Sequence, residues 1–267
     1  MKDDLGDRIK KYENVTKTFL PKRTYSILRL DGRSFHSYTK KLKKPFDSEL
    51  SDDLDDSTIS LLKEIGGAKF AYCQSDEISI LSCDVENINT QQWFDGNIQK
   101  ICSVSSSVLT AEFNKRRIIS KLGTPDTMSY ENGHCVTETL YYYDPGHIQS
   151  ILSFESFANF DCRVFSIPDR IEVMNYFRWR NQDCKRNSIS MAAYSMFSHK
   201  SLQGKNSLEK IQMIYNNTGK SYEENYSQKE RFGRFIVKID DQWQSLPAWD
   251  FSNDEGKLLK YIPEYGY

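Results

Sequence analysis

The sequence predicts an α+β fold with an antiparallel sheet. Two stretches with helical spacing, at 48–65 and 93–113, bracket a pair of short apolar runs at 70–81 joined by a polar turn. β-former-rich runs stand before the first helix, at 24–30, and after the second, at 160–167. Strands and helices interleaved in this order build a sheet with helices packed on it.

The first strand is TYSILRL at 24–30, which runs into Asp31-Gly32, a turn signal. The helix at 48–65 has Leu50, Leu54, Ile59, Leu61, Leu62 and Ile65 on its apolar positions and stops at Gly66-Gly67. The hairpin at 70–81 follows, with Gln74, Ser75, Asp76 and Glu77 at its tip. Trp93, Ile98, Ile101, Val104, Val108, Leu109 and Phe113 predict a buried helix at 93–113. The stretch 120–151 is rich in turn residues. FDCRVFSI at 160–167 alternates and ends at Pro168, and Asp169 is placed to cap a helix reaching to about 197. A short helix, a strand near 234–239 and an irregular end complete the chain. The core order is β-α-β-β-α-β, the ferredoxin-like arrangement. We expect a main unit at 1–200, with 201–267 a C-terminal extension packed on it.

No apolar run approaches the ~20 residues of a membrane span. Residues 1–12 lack the apolar centre of a signal peptide, and Asp3, Asp4 and Asp7 are unlike an organelle transit peptide. The six cysteines form no C-x-x-C pair and none has a histidine at zinc-ligand spacing, so they read as reduced thiols. A cytoplasmic location is expected, and a mitochondrial one is not indicated. The net charge of −1 does not suit a protein that coats nucleic acid, although it leaves room for a local basic track.

The carboxylates bear the chemistry. In the predicted sheet, strands one and three are central neighbours, so Asp31 and Asp76 reach one edge together. Carboxylates that converge repel one another unless a cation intervenes. Magnesium suits such a site, being oxygen-ligated and completed by water and phosphate oxygens. Two ions about 4 Å apart would clamp a phosphoryl displacement. Each motif alone is also an ordinary turn, since Asp, Ser and Gly all favour turns. Gly32 allows backbone N–H groups of the following residues to approach an anion, and Arg33 and His36 add donors. Lys44 lies within reach of a phosphate.

RLDGRSFH at 29–36, KKPF at 43–46, QSDEIS at 74–79, FDCRVF at 160–165, NYFRWRNQDCKRNSI at 175–189 and SHKSLQGK at 198–205 together resemble the tRNA(His) guanylyltransferase family. At Lys185-Arg186-Asn187-Ser188-Ile189 the chain departs from the dedicated guanylyltransferases. Here, and in KERFGRFIVK at 229–238, it is similar to the guanylyltransferase-like branch, the 3′–5′ polymerases that repair or edit tRNA 5′ ends.

The resemblance implies a polymerase-palm fold and template-dependent addition of nucleotides to the 5′ end of truncated tRNA. The 5′ end is activated with ATP or GTP and then attacked by the 3′-hydroxyl of an incoming nucleoside triphosphate. It implies two Mg2+ ions on Asp31, Asp76 and the Gly32 carbonyl, with Glu77 the adjacent acid and Lys44 acting in activation. Nucleotide contacts are implied for Asp31, Gly32, Arg33, Ser34, Phe35, His36, Lys44, Ser75, Asp76, Lys100 and Asn187. Lys185, Arg186, Lys229, Arg231 and Arg234 are the candidates for tRNA backbone contacts. The implied partners are tRNA and further copies of the chain in a homotetramer. The alternatives are dedicated addition of G−1 to tRNA(His), a palm-type nucleotide cyclase, and a non-catalytic RNA-binding relative.

Overall fold

The computed structural model describes residues 3–122, 130–131, 134–135 and 157–266. A leading helix, α1 (Asp4–Val15), precedes β1 (Tyr25–Gly32), the single turn α2 (Phe35–Tyr38) and α3 (Ser48–Glu64). The hairpin is β2 (Ala68–Gln74) and β3 (Glu77–Cys83), and α4 (Ile98–Leu122) follows it. A two-residue pair, β4 (Tyr130–Glu131) and β5 (His134–Cys135), comes before β6 (Phe160–Ile167) and the long α5 (Arg170–Met196). Then come α6 (His199–Leu202), α7 (Ser207–Thr218), α8 (Tyr222–Asn225), α9 (Gln228–Phe232), β7 (Arg234–Ile239), β8 (Gln242–Pro247) and α10 (Glu255–Leu259).

The six-stranded sheet has the order β6-β1-β3-β2-β7-β8. All five of its pairings are antiparallel. Its first four strands are the expected ferredoxin-like core with β1 and β3 at the centre. Side chains alternate across the sheet. Leu28, Leu30, Ala71, Ile78 and Ile80 meet α3 and α4 on one face. Tyr25, Ile27, Phe70, Tyr72 and Leu81 meet α5 on the other. Asp47 caps α3, accepting from the Leu50 N–H at 2.9 Å. Asp169 caps α5, accepting from the N–H groups of Ile171 and Glu172 at 2.9 Å each. Gly67, at φ +76°, is where α3 turns into β2; a Cβ there would lie 2.6 Å from the Cys83 carbonyl oxygen.

Several elements differ from the sequence reading. Asp31 and Gly32 belong to β1, and the chain leaves the sheet at Ser34, whose φ is 54°. The helix expected from 93 starts at Ile98, because Phe94 and Asp95 are left-handed, at φ 51° and 52°. It continues to Leu122. β8 was missed because only its half-buried residues alternate with exposed ones and none is fully buried. It is joined to β7 through Asp240 and Asp241, both at positive φ. The last third holds more short helices than expected, three of them opened by capping boxes, Asn206/Glu209, Ser221/Glu224 and Ser227/Glu230. Most of the turn-rich stretch at 120–151 lies outside the described residues.

Candidate active site

Asp31 stands at the end of β1, directly opposite Glu77 of β3 on one side and Asp161 of β6 on the other. Asp76 sits in the β2–β3 turn beside Ser75, which is left-handed at φ 47°. The two motifs meet at Gly32. A Cβ on Gly32 would fall 2.9 Å from the Asp76 Oδ2 and 2.4 Å from the Phe35 ring. Glycine is therefore what lets the Asp76 carboxylate lie against the end of β1, next to Asp31 in sequence.

Burial, Glu77 and Asp161 raise the Asp31 carboxyl above the usual range, with Arg29 and Arg163 opposing. Burial pushes Asp76 up to about 6, against the pull of its own backbone and of Ser75, with Asp31 and Glu77 adding to the rise. A divalent cation relieves both burdens, so the residues fit magnesium. Among the described residues no three His, Cys, Asp or Glu side chains converge on one metal-sized point. Two acids and a backbone carbonyl leave the remaining positions to water and phosphate, which is the habit of magnesium.

A pH dependence follows. Asp76 binds its proton more tightly folded than unfolded, so the metal-free protein loses stability as pH rises from about 4 to 6, by at most about 3 kcal/mol. Melting in a chelator across this range should show the slope, and Asp76→Asn should flatten it. An unchanged slope in the variant would remove Asp76 as its source.

Glu77 is not at the hairpin tip. It is the first residue of β3 and is buried. Its Oε1 accepts from Arg180 Nε at 2.6 Å and Gln74 Nε2 at 2.9 Å. Its Oε2 accepts from Arg180 Nη2 at 2.7 Å and pairs with Arg29 Nη2 at 2.6 Å. The acid read as adjacent to the metals is thus already occupied by two guanidinium groups.

A cavity of about 660 Å³ opens beside the carboxylates, between the start of α3 and the middle of α5. Asp31, Lys44, Ser75, Asp76, Asn187 and Lys229 line it, as does Glu77. Arg33, Ser34 and His36 are exposed on the turn after β1 and do not line the cavity. Phe35 is a core residue, packed on Tyr38, Phe113 and Phe160, so a nucleotide could meet only its backbone.

Two expected contacts are corrected. Lys100 lies at the opposite end of the sheet. The start of α4 is held by the chain leading into β1, through Ile98 N–H to the Thr18 carbonyl at 3.0 Å. The level of Gly32 is reached only at Thr110, whose hydroxyl accepts from the Phe160 N–H. That is ten residues, or about 15 Å, further along the helix. Arg234 is 5% exposed and gives its Nε to Asp55 at 2.8 Å, so it cannot reach an RNA backbone. Lys185 and Arg186 are exposed but paired with Asp250 and Asp183, and half-buried Arg231 stands 3.7 Å from Glu223. The sequence reading missed Arg29, Arg180 and Asp183. The i, i+3 spacing of Arg180 and Asp183 on a helix was the available signal.

The model of the tRNAHis guanylyltransferase family matches residues 6–168. The chain belongs to the tRNA(His) guanylyltransferase family. Its members are nucleotidyltransferases, and the chain is an enzyme of that class. A bacterial tRNA(His) guanylyltransferase-like protein in complex with ATP superposes with a TM-score of 0.79 at 33% identity, over 98% of this chain and 100% of that one. A bacterial guanylyltransferase-like protein in complex with GTP gives 0.70 at 30%, over 98% and 100%. An uncharacterized protein of Acanthamoeba polyphaga mimivirus is 29% identical over 81% of this chain and 71% of its own length. The tRNA(His) guanylyltransferase of Debaryomyces hansenii is 22% identical over 86% and 78%. These relations agree with the palm-like α+β fold.

Proposed function

We propose that this family member adds nucleotides in the 3′–5′ direction to the 5′ end of truncated tRNA, directed by the opposing strand. The observation that carries the reading is that Asp31 and Asp76, near enough for the charge of one to raise the pKa of the other, both line a cavity large enough for a nucleotide. The likeness to guanylyltransferase-like proteins in complex with ATP and GTP supports nucleoside triphosphates as substrates.

Asp31, Asp76 and the Gly32 carbonyl are the groups that would hold two magnesium ions. Bound there, magnesium would lower the pKa of the attacking 3′-hydroxyl and neutralise triphosphate charge. The protein residues do the rest. Lys44 at the cavity wall offers an ammonium to the pyrophosphate that ATP or GTP releases as its nucleotidyl group passes to the 5′-monophosphate, and Asn187 offers an amide to nucleotide or RNA. Exposed Lys185 and Arg186, with Arg231 and Lys229, are proposed to meet the tRNA backbone, which positions without reading sequence.

The test is to incubate labelled 5′-truncated tRNA with the four nucleoside triphosphates and magnesium. Stepwise growth at the 5′ end is expected; no growth would return the cyclase and non-catalytic readings. In the same assay, Lys44→Ala should slow addition to 5′-monophosphate tRNA much more than to 5′-triphosphate tRNA. Equal losses on both would remove Lys44 from activation.

A further inference from the structure

We propose that Arg180, together with Arg29, is a positioning residue that keeps the Glu77 carboxylate out of the cation site formed by Asp31 and Asp76. The inference rests on the reading of that edge as a cation site. Asp31 and Glu77 are direct partners in the β1–β3 register, so their side chains share one face. Directly opposed residues have Cβ atoms about 5 Å apart, and a glutamate side chain there is long enough to join the two aspartates on one ion. Three converging carboxylates would form a strong trap for a free cation. Two leave coordination positions for a triphosphate and its waters.

The structure diverts the third acid. Glu77 Oε1 accepts from Arg180 and Gln74, and Oε2 accepts from Arg180 and forms an ion pair with Arg29. Three hydrogen bonds and an ion pair take up most of the capacity of a carboxylate. Arg180 approaches as a fork, its Nε and Nη2 at 2.6 and 2.7 Å. The fork is fixed from behind. Nη2 also donates to Asp183 at 3.0 Å, and the guanidinium lies 4.4 Å from the centre of the Trp179 ring. The side chains of Arg180 and Glu77 are 7% and 8% exposed. A pair so withdrawn from water resists exchange, and loss of one partner leaves a buried charge uncompensated. Without Arg180, Glu77 keeps only the Arg29 ion pair and the Gln74 amide, and a cation on the Asp31–Asp76 edge would replace the second positive charge.

The sign of the expected effect separates this role from a merely structural one. Arg180→Met should bind Mn2+ at least ~10-fold more tightly than wild type, because a third carboxylate joins the ion in a partly desolvated setting. Its nucleotide addition should fall. Mn2+ titration followed by electron paramagnetic resonance reads the affinity without turnover, and circular dichroism checks the fold. The double variant Arg180→Met/Glu77→Gln should return to wild-type affinity. Glu77→Gln alone should also bind Mn2+ as wild type does, which keeps the proposal testable if Arg180→Met does not fold. Unchanged or weaker binding by folded Arg180→Met overturns the inference, as does a ~10-fold loss in Glu77→Gln, the loss expected of a direct ligand. Asp31→Asn locates the ion. If it leaves wild-type Mn2+ binding intact, the cation reading of this edge fails and the inference falls with it.

Discussion

Asp31→Ala or Asp76→Ala is expected to lower nucleotide addition at least ~10³-fold, the scale of lost electrostatic stabilisation of a transition state. The two acids line one cavity, and no third acid converges with them among the described residues. Loss of either therefore leaves a single acid to hold cations against a triphosphate. The fold should survive. Both carboxyls are raised by burial and by neighbouring acids, so each is a local burden on the metal-free protein. Melting temperature in a chelator at pH 7 should rise or stay level in both variants. Single-turnover kinetics with truncated tRNA checks the first expectation. Near-normal turnover in either variant would remove that residue from the site.

Arg234→Ala is expected to destabilise the protein by about 3–5 kcal/mol, the usual effect of stripping one partner from a buried ion pair. Asp55 of α3 would lose its guanidinium at 2.8 Å and keep only the Ser245 hydroxyl at 2.6 Å. The pair ties α3 to the β7–β8 hairpin under the cavity wall. Burial alone would lower the Arg234 pKa, but Asp55, with Cys73 and Cys184, more than offsets this and the pKa is raised. Urea unfolding should record the loss, while tRNA affinity per folded molecule stays level. A variant of wild-type stability that binds tRNA poorly would reverse the assignment and restore Arg234 as an RNA contact.

The order of the core was legible because its strands are strongly apolar. β3 is buried along its whole length, and β2 is buried from Phe70 to Gln74, so the hairpin stood out. The nearness of Asp31 to Asp76 was legible from topology, since a ferredoxin-like order makes β1 and β3 neighbours. Glu77 was not placed correctly, because its burial depends on Arg180, which is 103 residues away in sequence. Lys100 looked basic and close to a helix start, but which end of the sheet that helix starts from is set by the chain at Thr18 and Leu20. Arg234 was read as one of a basic run, and only the tertiary fold supplies Asp55. Local pattern thus identified the core strands and the two acids placed at one edge of the sheet. Partners separated by many residues decided which charges were free to act.

Whether this edge extends tRNA 5′ ends against a template is read by supplying tRNAs that lack the first 5′ nucleotide, with the opposing base varied through all four identities, and sequencing the product 5′ ends. A nucleotide out of register with its template places the attacking hydroxyl about 1 Å out of line, which can cost ~10²-fold in rate. The added base should be the complement of the opposing base in every case. Addition of G whatever the opposing base, and only to tRNA(His), would establish dedicated G−1 addition instead.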